Sequence, residues 1–179
     1  MTLPNTSQFR RLSQQTIFLW EYQWLSIETF LISRLSYGHL PDLELVASLL
    51  ADPVYHFSYQ THRTLDKSQG IHGPFLISKM SPASFRLLEV HEFHARATAI
   101  LASMRGDRPP GPEADAPESE ACKALRALTS DGTTCLELAL EPSDPTVHHE
   151  WWEIVYPFHE FLVIDQQRER LSICVFAAD

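Results

Sequence analysis

The chain has 179 residues, 44% of them hydrophobic and 21% charged, with a net charge of −9. These are ordinary globular values for one domain with its own core, and no apolar run approaches the ~18 residues of a membrane-spanning helix. Residues 1–104 balance 8 basic against 8 acidic side chains, whereas residues 105–179 hold 6 against 15, a distribution that argues against a nucleic-acid binder, which needs clustered Lys and Arg.

The first 15 residues lack the basic head, apolar middle and small-residue cleavage site of a signal peptide. Three cysteines, Cys122, Cys135 and Cys174, without CxxC spacing suggest neither a disulfide framework nor a thiolate zinc site. Together these predict a soluble protein of a reducing cytoplasm.

Residues 7–36 read as a helix. Trp20, Trp24, Ile27 and Leu31 recur at helical spacing, and Phe18, Leu25 and Ile32 form a second apolar stripe. Gly38 and Pro41 close it, and Asp42 is placed to cap a short second helix that ends before Pro53. Residues 53–65, "PVYHFSYQTHRTL", alternate aromatic and polar side chains and fit strand or helix. Residues 73–80 suggest a short strand, and Ser81-Pro82 opens a helix running to about Met104.

Residues 106–120, "GDRPPGPEADAPESE", contain four prolines and five acids and predict a flexible, solvated loop. A brief helix follows, and from Asp131-Gly132 onward the pattern is that of strands. In "TTCLELALE" the leucines 136, 138 and 140 alternate with Glu137 and Glu141. "HHEWWEIVY" reads as another strand, and "EFLVID" with "LSICVFAA" flanks a polar "QQRER" connection, as in an antiparallel hairpin. The expected fold is α+β in a single domain over 1–179: N-terminal and central helices packed on a C-terminal antiparallel sheet of three to four strands.

The one near-motif is "HEFH". His91 and His94 lie three apart, about 60° around a helix, and could share a metal, but Glu92 sits about 100° from His91 on the other side. Glu21 and Glu28, seven apart, are nearly in phase on the expected first helix and complete a possible zinc or iron ligand set. The ordinary reading is two boundary histidines and a solvated helix edge. His148, His149, Glu150, His159 and Glu160 fall in strand territory, where adjacent histidines diverge. There is no G-x-S-x-G elbow and no Gly-rich phosphate loop.

The functional expectation is a non-catalytic acidic binding protein, of the inhibitor or immunity type, that takes a basic protein partner through its C-terminal half. Its partner surface is placed on Trp151 with Glu150, Glu153, Glu137 and Glu141. The alternatives are a metal-dependent enzyme and an assembly subunit docking through the stripe of Trp20, Trp24, Ile27 and Leu31.

Overall fold

The computed structural model describes residues 9–32, 40–57, 59, 70–141, 143–149, 153 and 155–178. Its centre is a six-stranded sheet in the order β1-β2-β8-β7-β6-β5, every neighbouring pair antiparallel. The strands are β1 (Phe9–Phe18), β2 (Gln23–Ile32), β5 (Phe85–Leu88), β6 (Thr134–Leu138), β7 (Phe158–Asp165) and β8 (Arg170–Ala178). A separate two-stranded hairpin joins β3 (Ile71–His72) to β4 (Phe75–Leu76), and the helices are α1 (Asp42–Ala51), α2 (Val90–Arg105) and α3 (Pro112–Leu128).

The fold is α+β, but its sheet overturns the expectation of three or four C-terminal strands: it has six, and two come from the N-terminus. Over its described residues, 9–32, the expected helix 7–36 is the β1–β2 hairpin; its expected stop at Gly38 lies outside the described residues. The hairpin turn is closed by Leu19 N–H donating to the Gln23 carbonyl and Gln23 N–H to the Trp20 carbonyl, with Tyr22 at φ +56°. The helical stripe therefore does not exist. On β2, Trp24 and Phe30 enter one core layer, while Leu25 and Ile27 enter the other. Every residue from Trp24 to Phe30 is buried, and neither face is consistently polar: Trp24 and Phe30 share one with Ser26 and Glu28, and Leu25 and Ile27 share the other with Thr29, so the run lacks the clean alternation by which a strand is recognised.

One layer buries Leu45, Val46, Leu49 and Leu50 of α1, with Tyr55, Tyr59 and Phe75, against Phe30, Leu162, Ile173 and Val175 of the sheet. The opposite layer buries Phe93, Ala97 and Leu101 of α2 and Ala121 and Leu125 of α3 against Leu25, Phe161, Cys174 and Phe176. A bulge between Arg11 and Ser13 reverses the phase of β1, so that Phe9 packs in the first layer and Ile17 in the second.

Three further boundaries differ from expectation. Pro41 caps α1, and Asp42 is its first residue. The Asp42 carboxylate instead accepts from Thr134 Oγ1 (2.6 Å) and Gln166 Nε2 (2.8 Å), tying α1 to the sheet. Ser81-Pro82 starts only a 3-10 turn, Pro82–Ser84; β5 intervenes before α2 begins at Val90. The predicted loop 106–120 is largely helical, because α3 starts at Pro112 and carries Pro117 within it. The β7–β8 hairpin is present. Among the described residues of the predicted strand 148–156, there is only an isolated bridge between His148 and Phe75. No helix among the described residues is long and apolar enough to cross a membrane.

Candidate functional site

The near-motif resolves into helix chemistry. Glu92 Oε2 accepts the Glu89 backbone N–H at 2.8 Å, satisfying one of the donors that a helix N-terminus leaves open. His91 is exposed on the first turn of α2. His94 is half-buried, its Nε2 is 3.1 Å from Thr129 Oγ1, and its ring leans on Phe93. Partial burial first, and the Arg126 charge second, hold His94 below the ordinary histidine range.

Glu21 is exposed in the β1–β2 turn. Glu28 is buried on β2 and paired with Arg11 at 2.7 Å. A seven-residue separation that is in phase on a helix is not so on strand and turn. Among the described residues, no three His, Cys, Asp or Glu side chains could hold one metal ion.

The predicted partner surface divides. Trp151 and Glu150 lie outside the described residues; Glu141 and Glu153 are exposed. Glu137 is not exposed. It is buried on β6, where Arg86 of β5 holds one carboxylate oxygen and Arg96 of α2 approaches the other at 3.0 Å. Its place is a junction between two strands and a helix. His148 and His149 donate to backbone carbonyls, of His149 (2.9 Å) and Gly73 (3.0 Å) respectively.

A polar cluster that sequence reasoning missed lies under the β3–β4 hairpin. His72, Tyr55 and Glu160 are all fully buried. His72 Nδ1–H donates to the Tyr55 carbonyl at 2.5 Å, and His72 Nε2 is hydrogen-bonded to Glu160 Oε2, also at 2.5 Å. Tyr55 O–H donates to Glu160 Oε1 at 2.7 Å, and its ring stacks on His72 with centroids 3.7 Å apart. Each polar atom of ring and carboxylate thereby has a partner, which is how such a pair tolerates a dry interior. Burial first and the Glu160 charge second push the Tyr55 and Tyr59 phenols well above their usual range. With no route for solvent to its polar atoms, this cluster is built to hold the hairpin on the sheet.

The surface is different around the β1–β2 turn. Phe18 and Tyr22 are each 79% exposed, unusual for large hydrophobic side chains, with Trp20 half-buried between them. Trp20 and Glu21 form one wall of a groove of about 630 Å³; residues 108–113, with Pro109, Pro110 and Pro112, form the other. Arg108 lies over the Trp20 ring at 5.8 Å and donates to the Arg105 carbonyl at 2.9 Å.

Arg105 is likewise engaged, by Asp115 (2.7 Å) and Glu118 (3.1 Å). The exposed carboxylates Glu21, Asp107, Glu113 and Glu120 have no such cation partner among the described residues. Of the groove's residues the sequence reading singled out Trp20 and Glu21, but it placed both on a helix rather than in the turn between two strands.

No known protein family matches the sequence, and neither does any curated protein. Among solved structures, the crystal structure of citrus MAF1 is similar at a TM-score of 0.44 and 11% identity, covering 90% of this chain and 92% of that one.

Proposed function

We infer that the chain is a non-catalytic binding protein, of the inhibitor or immunity type, whose partner is a basic protein. The observation that carries this reading is the β1–β2 turn and the groove beside it: Trp20 and Glu21 on one wall and Glu113 on the other, with the exposed side chains of Phe18 and Tyr22 two residues to either side of Trp20 in the chain. Aromatic anchors in a partly desolvated groove supply most of the binding energy at protein interfaces. Carboxylates without internal partners steer a cationic surface toward them. Half of the groove belongs to the acidic C-terminal part of the chain, and the β1–β2 turn supplies the anchors.

The test is capture from a source-organism lysate by the immobilised chain at 50 and 500 mM salt, in comparison with two double variants. A single basic protein should be retained at low salt. Its affinity should fall at least ~10-fold in Phe18→Ala/Tyr22→Ala, in keeping with the loss of two anchor residues, and its association rate should fall in Glu21→Gln/Glu113→Gln. Equal capture by the wild-type chain and the aromatic variant, or capture indifferent to salt, would sink the reading.

A further inference from the structure

The face of the sheet under α2 and α3 is apolar along most of its length, but one row across it is not. Ser13, Thr29 and Ser172 are paired in register across β1, β2 and β8, and the row continues to Val163 on β7. Thr29 and Ser172 are buried, with their hydroxyl oxygens 2.9 Å apart. These hydroxyls open on a cavity of about 460 Å³, roofed by Ala127 and Leu128 at the end of α3. That volume lies within the range of small-molecule sites, which run from ~300 to ~1,000 Å³.

The supply of donors and acceptors around the cavity is uneven. One hydroxyl of the Thr29–Ser172 pair donates to the other, so one O–H is left uncommitted. Asp165, the carboxylate at the mouth, is already used: it accepts from Ser130 Oγ (3.0 Å) and Arg168 N–H (2.9 Å) and pairs with the Arg168 guanidinium at 3.4 Å. Arg170 lines the same cavity and has no carboxylate partner among the described residues. The site therefore holds a spare cation and a spare buried donor. At the opposite wall, the C-terminal carbonyl end of α3 repels negative charge, and Ala127, Leu128 and Val163 offer only carbon.

We propose that this cavity is a binding site for a small monocarboxylate with a compact apolar body, its carboxylate held by Arg170 and the Thr29–Ser172 hydroxyls and its body under Ala127 and Leu128. A single unpaired guanidinium matches a single negative charge, and the carbonyl end of α3 sets the orientation.

The probe is phenylacetate, titrated into the ¹⁵N-labelled full chain and followed by amide shifts, with phenylacetamide as the neutral control of the same shape. Saturable shifts confined to the neighbourhood of Ser13, Thr29, Leu128 and Ser172 are expected, with affinity for phenylacetamide at least tenfold lower. Arg170→Gln, a change at an exposed side chain, should bring phenylacetate down to the level of the amide; Thr29→Val/Ser172→Ala should weaken it further. Shifts that are absent, scattered over the surface, or equal for acid and amide would overturn the proposal. The wild-type comparison of the two probes does not depend on any variant folding.

Discussion

His72 and Glu160 sit where water does not reach, and each atom that could demand a partner has one. Replacing Glu160 by Leu removes the hydrogen-bond partner of His72 Nε2 and of Tyr55 O–H, and leaves both buried. Removing one member of such a pair costs about 3–5 kcal/mol, so Glu160→Leu should show a loss of that size in urea unfolding. Glu160→Gln, which keeps an acceptor oxygen, should lose less. A change below ~1 kcal/mol, the net value of an ordinary hydrogen bond, would mean that the cluster does not hold the hairpin.

His94 gives a second test. Its folded-state pKa is depressed, so the neutral ring is favoured in the fold. The unfolded chain then binds more protons in the window below about pH 6.5. Stability is full above that pH and is lost as pH falls toward the folded value. In His94→Gln the decline of melting temperature between pH 7 and 5 should be shallower, though not absent, because eight other histidines remain. An unchanged slope would contradict the shift.

At this scale the sequence marked His91, His94, Glu21 and Glu28 by spacing, but spacing has meaning only on a known element. With the hairpin in place of the helix, the pair Glu21 and Glu28 separates. His72, the most completely enclosed histidine among the described residues, stood in a segment whose structure the pattern left open.

At the scale of elements, bounded segments were legible and doubly covered ones were not. α1 is fenced by Pro41 and Pro53, and the β7–β8 hairpin by its polar connection. β2 failed because both of its faces are buried. With apolar and polar residues mixed on each face, its pattern fits a core helix as well as a core strand. α3 failed for the opposite reason, since its composition is that of a loop. Pro112 at the first helical position loses nothing, because that N–H has no partner in a helix anyway.

Pro117 is different: lying inside α3, it removes the N–H that would donate to the carbonyl four residues earlier. Pro117→Ala should therefore stabilise the protein by about 1–3 kcal/mol, the penalty of an internal proline relative to alanine reduced by its nearness to the helix start. The rise in melting temperature is the measurement. A fall would show that the ring's packing outweighs the missing bond.

At the scale of the whole molecule, the placement of negative charge was readable and its use was only partly so. The acidic excess of residues 105–179 includes Glu137 and Asp165, which are buried and neutralised by arginines, as well as the exposed Glu113, Glu120, Glu141 and Glu153. Counting charges does not separate the two kinds. The fold class was legible as α+β, but not the sheet order, because nothing local records that Trp24 will lie opposite Ala177.

That pairing governs how the protein can be made. β2, which like β8 has seven consecutive buried residues, has β1 on one side and β8 on the other, and β8 is the last of the described strands in sequence. As the chain leaves the ribosome, the β1–β2 hairpin must wait for nearly 140 further residues before its neighbour exists. Throughout that interval it exposes an apolar strand with an open edge, the kind of surface that aggregates or recruits chaperones. The central strand is therefore the keystone of the sheet: it is laid last, and a growing chain needs protection until it arrives.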